Sequence, residues 1–352
     1  YVIPKKIRLI ETTKRLKIYT TPQKRVFKEF GFFAFFIRLV FAVWSKLFGS
    51  KLAKMYYCSG LRVDGSFDTT IAWSHNLPYN SMGSATTYIC QRIVKANKSI
   101  SYIHTDYVRS GSCDNGNNKE YAKSTLVAFM SESLRKQAKE RTKLTNTCVS
   151  QCLVNEERVL KLKDESVGFD DSVFINKIVF VTVARLSSEK GICDGLKTFS
   201  LFKKSYPTID FLWIVVGDGP LKSQIDNLID QMDLRNNVIL CGYDSNPFKY
   251  IEKAHFYISF SKYEGVPITF LEAKCQNKRI ISTPLSSAND ILSSEDLIID
   301  GNYDRQSELI SKFIFEHKNK ILNEYGKKEV DEWNKKSILQ FESLVNEYDE
   351  SN

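Results

Sequence analysis

The run VFVTVARLSSEKGI, Val179 to Ile192, carries the pattern on which the fold turns. Its first half is apolar almost without a break and rich in β-branched residues. Its second half is charged and closes on Lys190 and Gly191, where a helix opens. A strand that is apolar at consecutive positions has both faces buried, as in parallel sheets layered with helices. Runs of this kind stand at TTIAW (69–73), SISYIH (99–104), TLVAFM (125–130), KIVFVTVA (177–184), FLWIVV (211–216), NVIL (237–240), FYISF (256–260) and RIIS (279–282). Helical patterns lie between them, at 131–143, 191–205, 220–232 and 267–275. The alternation predicts an α/β protein with two Rossmann-like parallel-sheet domains facing across a cleft.

A polar, acidic stretch, LKDESVGFDDSVFIN (162–176), separates two such regions. It predicts a first domain over 1–165, a linker over 166–176 and a second domain over 177–325. A C-terminal amphipathic helix within 326–352 would cap the fold. The chain opens on YVIPKKIRLIE, an extended, β-prone stretch that reads as the middle of a domain, so the first domain is expected to lack its first strand and loop.

The 352 residues carry a net charge of +9, and its placement is informative. Residues 1–62 hold 14 Lys and Arg against two acids, Glu11 and Glu29; the remainder is close to neutral. A negatively charged partner surface is implied. Within this end lies FGFFAFFIRLVFAVWSKLF, Phe30 to Phe48. Arg38 interrupts the run, whereas a membrane span needs about 20 apolar residues. The segment also lacks the cleavage site of a signal peptide. Two readings remain: a helix buried on a domain core, or an interfacial helix. In the second, aromatics enter the headgroup zone and the cations of segment 24–54 meet an anionic membrane surface. Nucleic acid is disfavoured, because the aromatics are clustered and not interleaved with the cations. The eight cysteines form no C-x-x-C pair and read as thiols. No Asp-x-Asp or other metal motif stands where a ligand would sit.

Ligands of parallel sheets bind beyond the carboxyl ends of strands. Arg185 and Lys190 follow the strand at 177–184, and two fixed cations beside a helix start suit a diphosphate. The strand at 211–216 runs into Gly217-Asp218-Gly219-Pro220, where glycines would let backbone approach a ligand and Pro220 would occupy the first turn of a helix. No G-x-G-x-x-G fingerprint with a ribose acid follows, which disfavours a dinucleotide oxidoreductase. After the strand at 256–260 comes SKYEGVPITFLEA, with Glu264 in a loop and Glu272 in a helix that Pro267 would start. Such carboxylates reach different parts of one elongated ligand, and carboxylates accept hydrogen bonds from sugar hydroxyls.

R-x4-KG, GDGP and SKYEGVPITFLEA with its E-x7-E spacing, in this order, resemble the nucleotide-binding domain of retaining glycosyltransferases of family 4, which have the GT-B fold. The resemblance is strong over 177–291 and weaker over 99–107 and 126–137. It implies that Arg185 and Lys190 bind a donor diphosphate, that Glu264 contacts the donor sugar and that Glu272 holds the ribose. Gly265, Val266, Ile268 and Thr269 would line sugar and phosphate, with Gly217 and Gly219 beside them and Gly242 and Tyr243 near the base. The donor would be UDP- or GDP-linked, with no separate cofactor and no metal. His104, at a strand end, would touch the transferred sugar or the acceptor; His75 is a second candidate, while His255 and His317 read as structural. The family's glycine-rich loop near the acceptor is missing, and Ala184 stands where a glycine is common. The implied protein is cytoplasmic and peripheral on the inner face of the membrane, acting on a glycan or lipid-linked acceptor. The alternative is a non-catalytic GT-B-like subunit that binds membrane or glycan.

Overall fold

A computed structural model describes residues 10–317 and 325–346. Residues 1–9 of the opening stretch and residues 347–352 of the C-terminal segment lie outside the described residues. The chain divides into two compact units, 1–150 with 345–352, and 151–344.

The first unit runs α1 (Lys14–Thr20), α2 (Gln23–Phe48), α3 (Lys51–Cys58), β1 (Ser66–Ala72), α4 (Thr86–Arg92), β2 (Lys95–Ile103), α5 (Asn115–Tyr121), β3 (Leu126–Phe129), α6 (Glu132–Arg141) and β4 (Thr147–Val149). Its four strands pair in chain order, all parallel. β4 was not foreseen: three half-buried residues are too few for a periodic signal.

The second unit runs α7 (Glu156–Leu162), β5 (Ile178–Val183), α8 (Ile192–Ser205), β6 (Phe211–Val216), α9 (Lys222–Gln231), β7 (Val238–Gly242), α10 (Phe248–Lys253), β8 (Phe256–Ser259), α11 (Ile268–Cys275), β9 (Arg279–Ser282), β10 (Leu297–Ile298), α12 (Tyr303–His317) and α13 (Tyr325–Asn346). The strand order is β10-β9-β8-β5-β6-β7, parallel throughout. Alternate residues of each strand feed opposite faces. Val179, Val181, Leu212, Ile214 and Tyr257 enter one core, and Phe180, Trp213, Val215, Phe256 and Ile258 the other. That two-sided burial is the physical content of the uninterrupted apolar runs. The order reverses between β5 and β8, so the chain leaves these two strands toward opposite edges of the sheet, at a topological switch point where doubly wound sheets bind ligands.

The sequence reading set a linker over 166–176, but the compact units part between Ser150 and Gln151. Val154, Val159 and Val167 are buried in the core of the second sheet. α13 holds the same stretch: Trp333 Nε1 donates to Cys152 O at 2.8 Å, and Asn334 exchanges hydrogen bonds with the backbone of Val154. A polar composition alone misses this, because the anchors are isolated valines.

The apolar N-terminal run forms most of α2, broken at Gly31, whose φ of 85° is left-handed. Its burial is partly inverted. Arg38 and Ser45, seven apart, face inward, while Phe32, Phe33, Phe36, Val40, Val43, Trp44 and Leu47 are exposed. Arg38 donates to the carbonyls of Ile18 and Tyr19 at the end of α1, and to Gln23. The buried-helix reading therefore holds for Ile37 and Phe41, which pack against the core around Tyr57, and fails for the exposed apolar residues just named. Among the described residues no helix is long and apolar enough to cross a membrane.

Candidate functional site

The loops after β5 and β8 are pressed together. A β-carbon at Gly191 (φ 65°) would fall 1.9 Å from the Phe260 carbonyl oxygen, so only glycine fits. Lys262 N donates to Glu189 O at 2.8 Å, bridging the two loops. This contact brings Lys190 to Glu264: Nζ stands 2.5 Å from Oε1, with both side chains half-buried. Ser261 Oγ donates to the same oxygen at 2.8 Å and is itself reached by Ser259 Oγ at 3.2 Å. Thr283 Oγ1 fixes the loop by donating to Ser261 O at 2.5 Å. Arg185 is exposed, with no ion pair among the described residues.

Pro267 caps α11 and does not occupy its first helical position, as the sequence reading had it; the helix begins at Ile268. Gly265 is buried, and Val266, Ile268 and Thr269 are half-buried along the approach to the helix. Glu272 lies one turn in. Burial raises its carboxyl above the ordinary carboxylate range, and the charge of Arg158 opposes this. The Glu272 carboxylate has no hydrogen bond or ion pair among the described residues. Arg158 was missed because the expected boundary left α7 in the first domain. Its guanidinium lies 5.6 Å from the Phe248 ring centre and donates weakly to Ser245 O.

Gly217 and Gly219 are required for a reason other than the one expected. A β-carbon on Gly217 (φ 142°) would fall 1.9 Å from Ala184 O, and one on Gly219 would fall 2.4 Å from Leu186 O. Both glycines thus admit the neighbouring loop's backbone, and Leu186 N donates to Asp218 O at 3.0 Å. Pro220 lies ahead of α9, which starts at Lys222, so it does not hold the first helical position either. Gly242 (φ 73°) ends β7, and its carbonyl accepts from Gly217 N at 2.7 Å. Tyr243 beyond it is exposed, and burial pushes the Cys241 thiol up to about 12.

His104 belongs to the first unit, just past β2. It stacks on Tyr102, with ring centres 5.6 Å apart, and lies 4.7 Å from the Trp73 ring. Its Nε2 is buried without a hydrogen bond, and burial lowers its basicity, so the ring is neutral near pH 7. His75 is lowered likewise, first by burial and then by His104. His255 Nδ1 accepts from Val179 N at 3.0 Å, in agreement with its structural reading.

Two parallel-sheet α/β units, one with ionic loops at a switch point, define the architecture of GT-B proteins. Residues 169–329, just under half of the chain, match the family described as glycosyl transferases group 1. An uncharacterized glycosyltransferase of Methanocaldococcus jannaschii is 35% identical over 112 residues, 32% of this chain and 27% of the relative. The alpha-monoglucosyldiacylglycerol synthase of Acholeplasma laidlawii is 34% identical over 127 residues, 36% of this chain and 30% of the relative. The chain thus spans less than a third of these relatives' lengths. A TarM mutant of S. aureus, solved in complex with fondaparinux, alpha-GlcNAc-glycerol and UDP, shares the fold with a TM-score of 0.62 at 16% identity. The likeness covers 83% of this chain and 58% of that one.

Proposed function

We propose that this protein is a retaining glycosyltransferase of family 4. It moves a sugar from a UDP- or GDP-linked donor to a hydroxyl of a glycan, in particular a lipid-linked one. The observation that carries the reading is the Lys190–Glu264 pair joining the loops after β5 and β8, with Arg185 on the first loop and Glu272 in the helix that follows the second. The sugar's anomeric carbon leaves a phosphate oxygen for the acceptor oxygen, and the acceptor's proton balances the departing nucleoside diphosphate. Charge grows on that diphosphate as its bond to the sugar lengthens. Lys190, held by Glu264, and Arg185 on the same loop supply donors for this charge, and cations set beside developing charge lower barriers. Glu264 orients the sugar and Glu272 accepts from ribose hydroxyls, for which its carboxylate is free. His104, neutral and with an unsatisfied Nε2, offers a hydrogen bond to sugar or acceptor. No separate cofactor or metal is required.

The similarity to an alpha-monoglucosyldiacylglycerol synthase and to a fold neighbour solved with UDP supports this reading. So does the outward apolar face of α2, set in an end with 14 cations and two acids. In this proposal that face meets an anionic lipid surface, and the protein is peripheral on the inner side of the cytoplasmic membrane.

The test is a panel of nucleotide sugars screened by thermal shift, then donor turnover and the product's anomeric configuration by NMR. The expected result is stabilisation by one donor and a product of unchanged configuration. Turnover at the wild-type rate in Lys190→Ala and Glu272→Ala would sink the site assignment. Donor binding without hydrolysis or transfer would leave a glycan-binding subunit instead.

A further inference from the structure

The first unit contains a second charged concavity, of about 420 Å³, between α3, α4 and α5. Lys51, Arg92, Lys119 and Lys123 stand on its rim, all exposed and none in an ion pair among the described residues. Lys54 lies deeper, paired through Nζ to Glu120 Oε2 at 2.8 Å, with both groups largely buried. The pair neutralises itself and leaves the rim charge uncompensated. Glu120 Oε1 is buried without a hydrogen bond, so the concavity also contains an unsatisfied acceptor.

Four uncompensated cations converging on one hollow suit a phosphate, whose oxygens they can share. The vacant acceptor suits a hydroxyl close to that phosphate. We infer that this concavity is a binding site for a hydroxyl-bearing phosphate ester, and specifically for a lipid headgroup of that kind.

The lipid source follows from what the pocket is built on. α3 supplies Lys51 and Met55 to the pocket and also carries the exposed Leu52. Tyr79 forms a wall and anchors the α2–α3 junction. Its carbonyl accepts from Ser50 N at 2.9 Å, and a β-carbon on Gly49 would fall 2.1 Å from its ring. Gly116 of α5 abuts the same ring, 2.2 Å from a would-be β-carbon. The pocket is therefore joined without a flexible break to the helix whose outward face is apolar. A headgroup in the pocket keeps its acyl chains beside that face. This site rests on the membrane reading above and adds a specific headgroup contact to it.

The experiment is flotation of the full chain on vesicles of phosphatidylcholine alone and of phosphatidylcholine mixed with phosphatidylglycerol, at fixed ionic strength. Lys119→Glu with Lys123→Glu changes exposed residues only and leaves the fold intact. This variant is expected to lose tenfold or more of its partition onto the mixed vesicles and little on phosphatidylcholine. Reversal of Lys24 and Lys28, outside the pocket, is expected to cost clearly less. Glycerol 1-phosphate at millimolar concentration is expected to lower flotation of the wild type on mixed vesicles. Equal losses from the two pairs of reversals, or none from the pocket pair, would overturn the site. Tight binding of glycerol 1-phosphate that leaves flotation unchanged would overturn the lipid source in favour of a soluble ester. Failure of the wild type to float on any vesicle would instead remove the membrane reading, a different outcome from flotation indifferent to the pocket.

Discussion

Lys190 Nζ stands 2.5 Å from Glu264 Oε1, so the group assigned to a donor phosphate and the group assigned to a donor sugar are bound to each other. Lys190 must therefore be shared between Glu264 and an incoming diphosphate. Glu264→Gln removes the competing charge and is expected to bind UDP or GDP at least as tightly as the wild type, while transferring sugar about 100-fold more slowly. Lys190→Ala loses a charge-assisted contact and is expected to weaken nucleoside diphosphate binding roughly tenfold or more. Calorimetric titration of both variants decides the matter. Equal weakening by the two would mean that the pair only holds the loops together.

Glu272 makes stability depend on pH. Its carboxyl is raised by burial, so the folded state holds the proton more tightly than the unfolded chain. Stability then falls as pH rises from below the ordinary carboxylate range through the raised value, and the loss persists at neutral pH. Glu272→Gln is expected to gain about 1 kcal/mol at pH 7.5, with the gain vanishing below roughly pH 4, while nucleotide binding is lost. Thermal melts at the two pH values check this. An equal gain at both would rule out the titration of Glu272 as the cause.

The glycines are predicted to rank by the backbone they touch. Gly217→Ala puts a β-carbon 1.9 Å from Ala184 O at a left-handed φ, and no flexible side chain can give way. A loss of roughly 2 kcal/mol or more is expected. At Gly242 the nearest atom to a β-carbon is Lys222 Nζ, 3.9 Å away, so only the backbone conformation is strained. About 1 kcal/mol is expected there. Denaturant midpoints of the two variants give the comparison, and a reversed order would refute the packing argument.

Lys274, two residues after Glu272 on the same helix, is fully buried between Asp296 (2.9 Å) and Glu329 of α13. Lys274→Met leaves a buried carboxylate short of its cation and is expected to cost about 3–5 kcal/mol. Adding Asp296→Asn should return part of that loss. A cost below about 1 kcal/mol for the single change, read from urea unfolding, would show that the network is already satisfied without the lysine.

Much of the second unit was legible from local pattern. FLWIVV and RIIS were placed residue for residue, because continuous branched apolar runs admit few other conformations. β4 and β10 escaped because two or three residues carry no period. The segment 151–165 was assigned to the wrong side because isolated valines do not reveal which core they enter, and Arg158 went unseen with it. For the N-terminal run the aromatics announced an apolar face, but only the packing of Arg38 against the end of α1 fixed that face outward.

The sequence by itself determined the α/β class, the parallel sheets and the order of the ionic motifs, since strand and helix periods act over a few residues. Only the tertiary structure decided which groups meet. Lys190 and Glu264 lie 74 residues apart and touch because β5 and β8 are neighbours in the sheet and because Gly191 lets their loops close on each other. The glycines of the GDGP turn are needed for the same reason, the close approach of one loop's backbone to the next. Contacts of that range depend on strand order, which no local periodicity encodes.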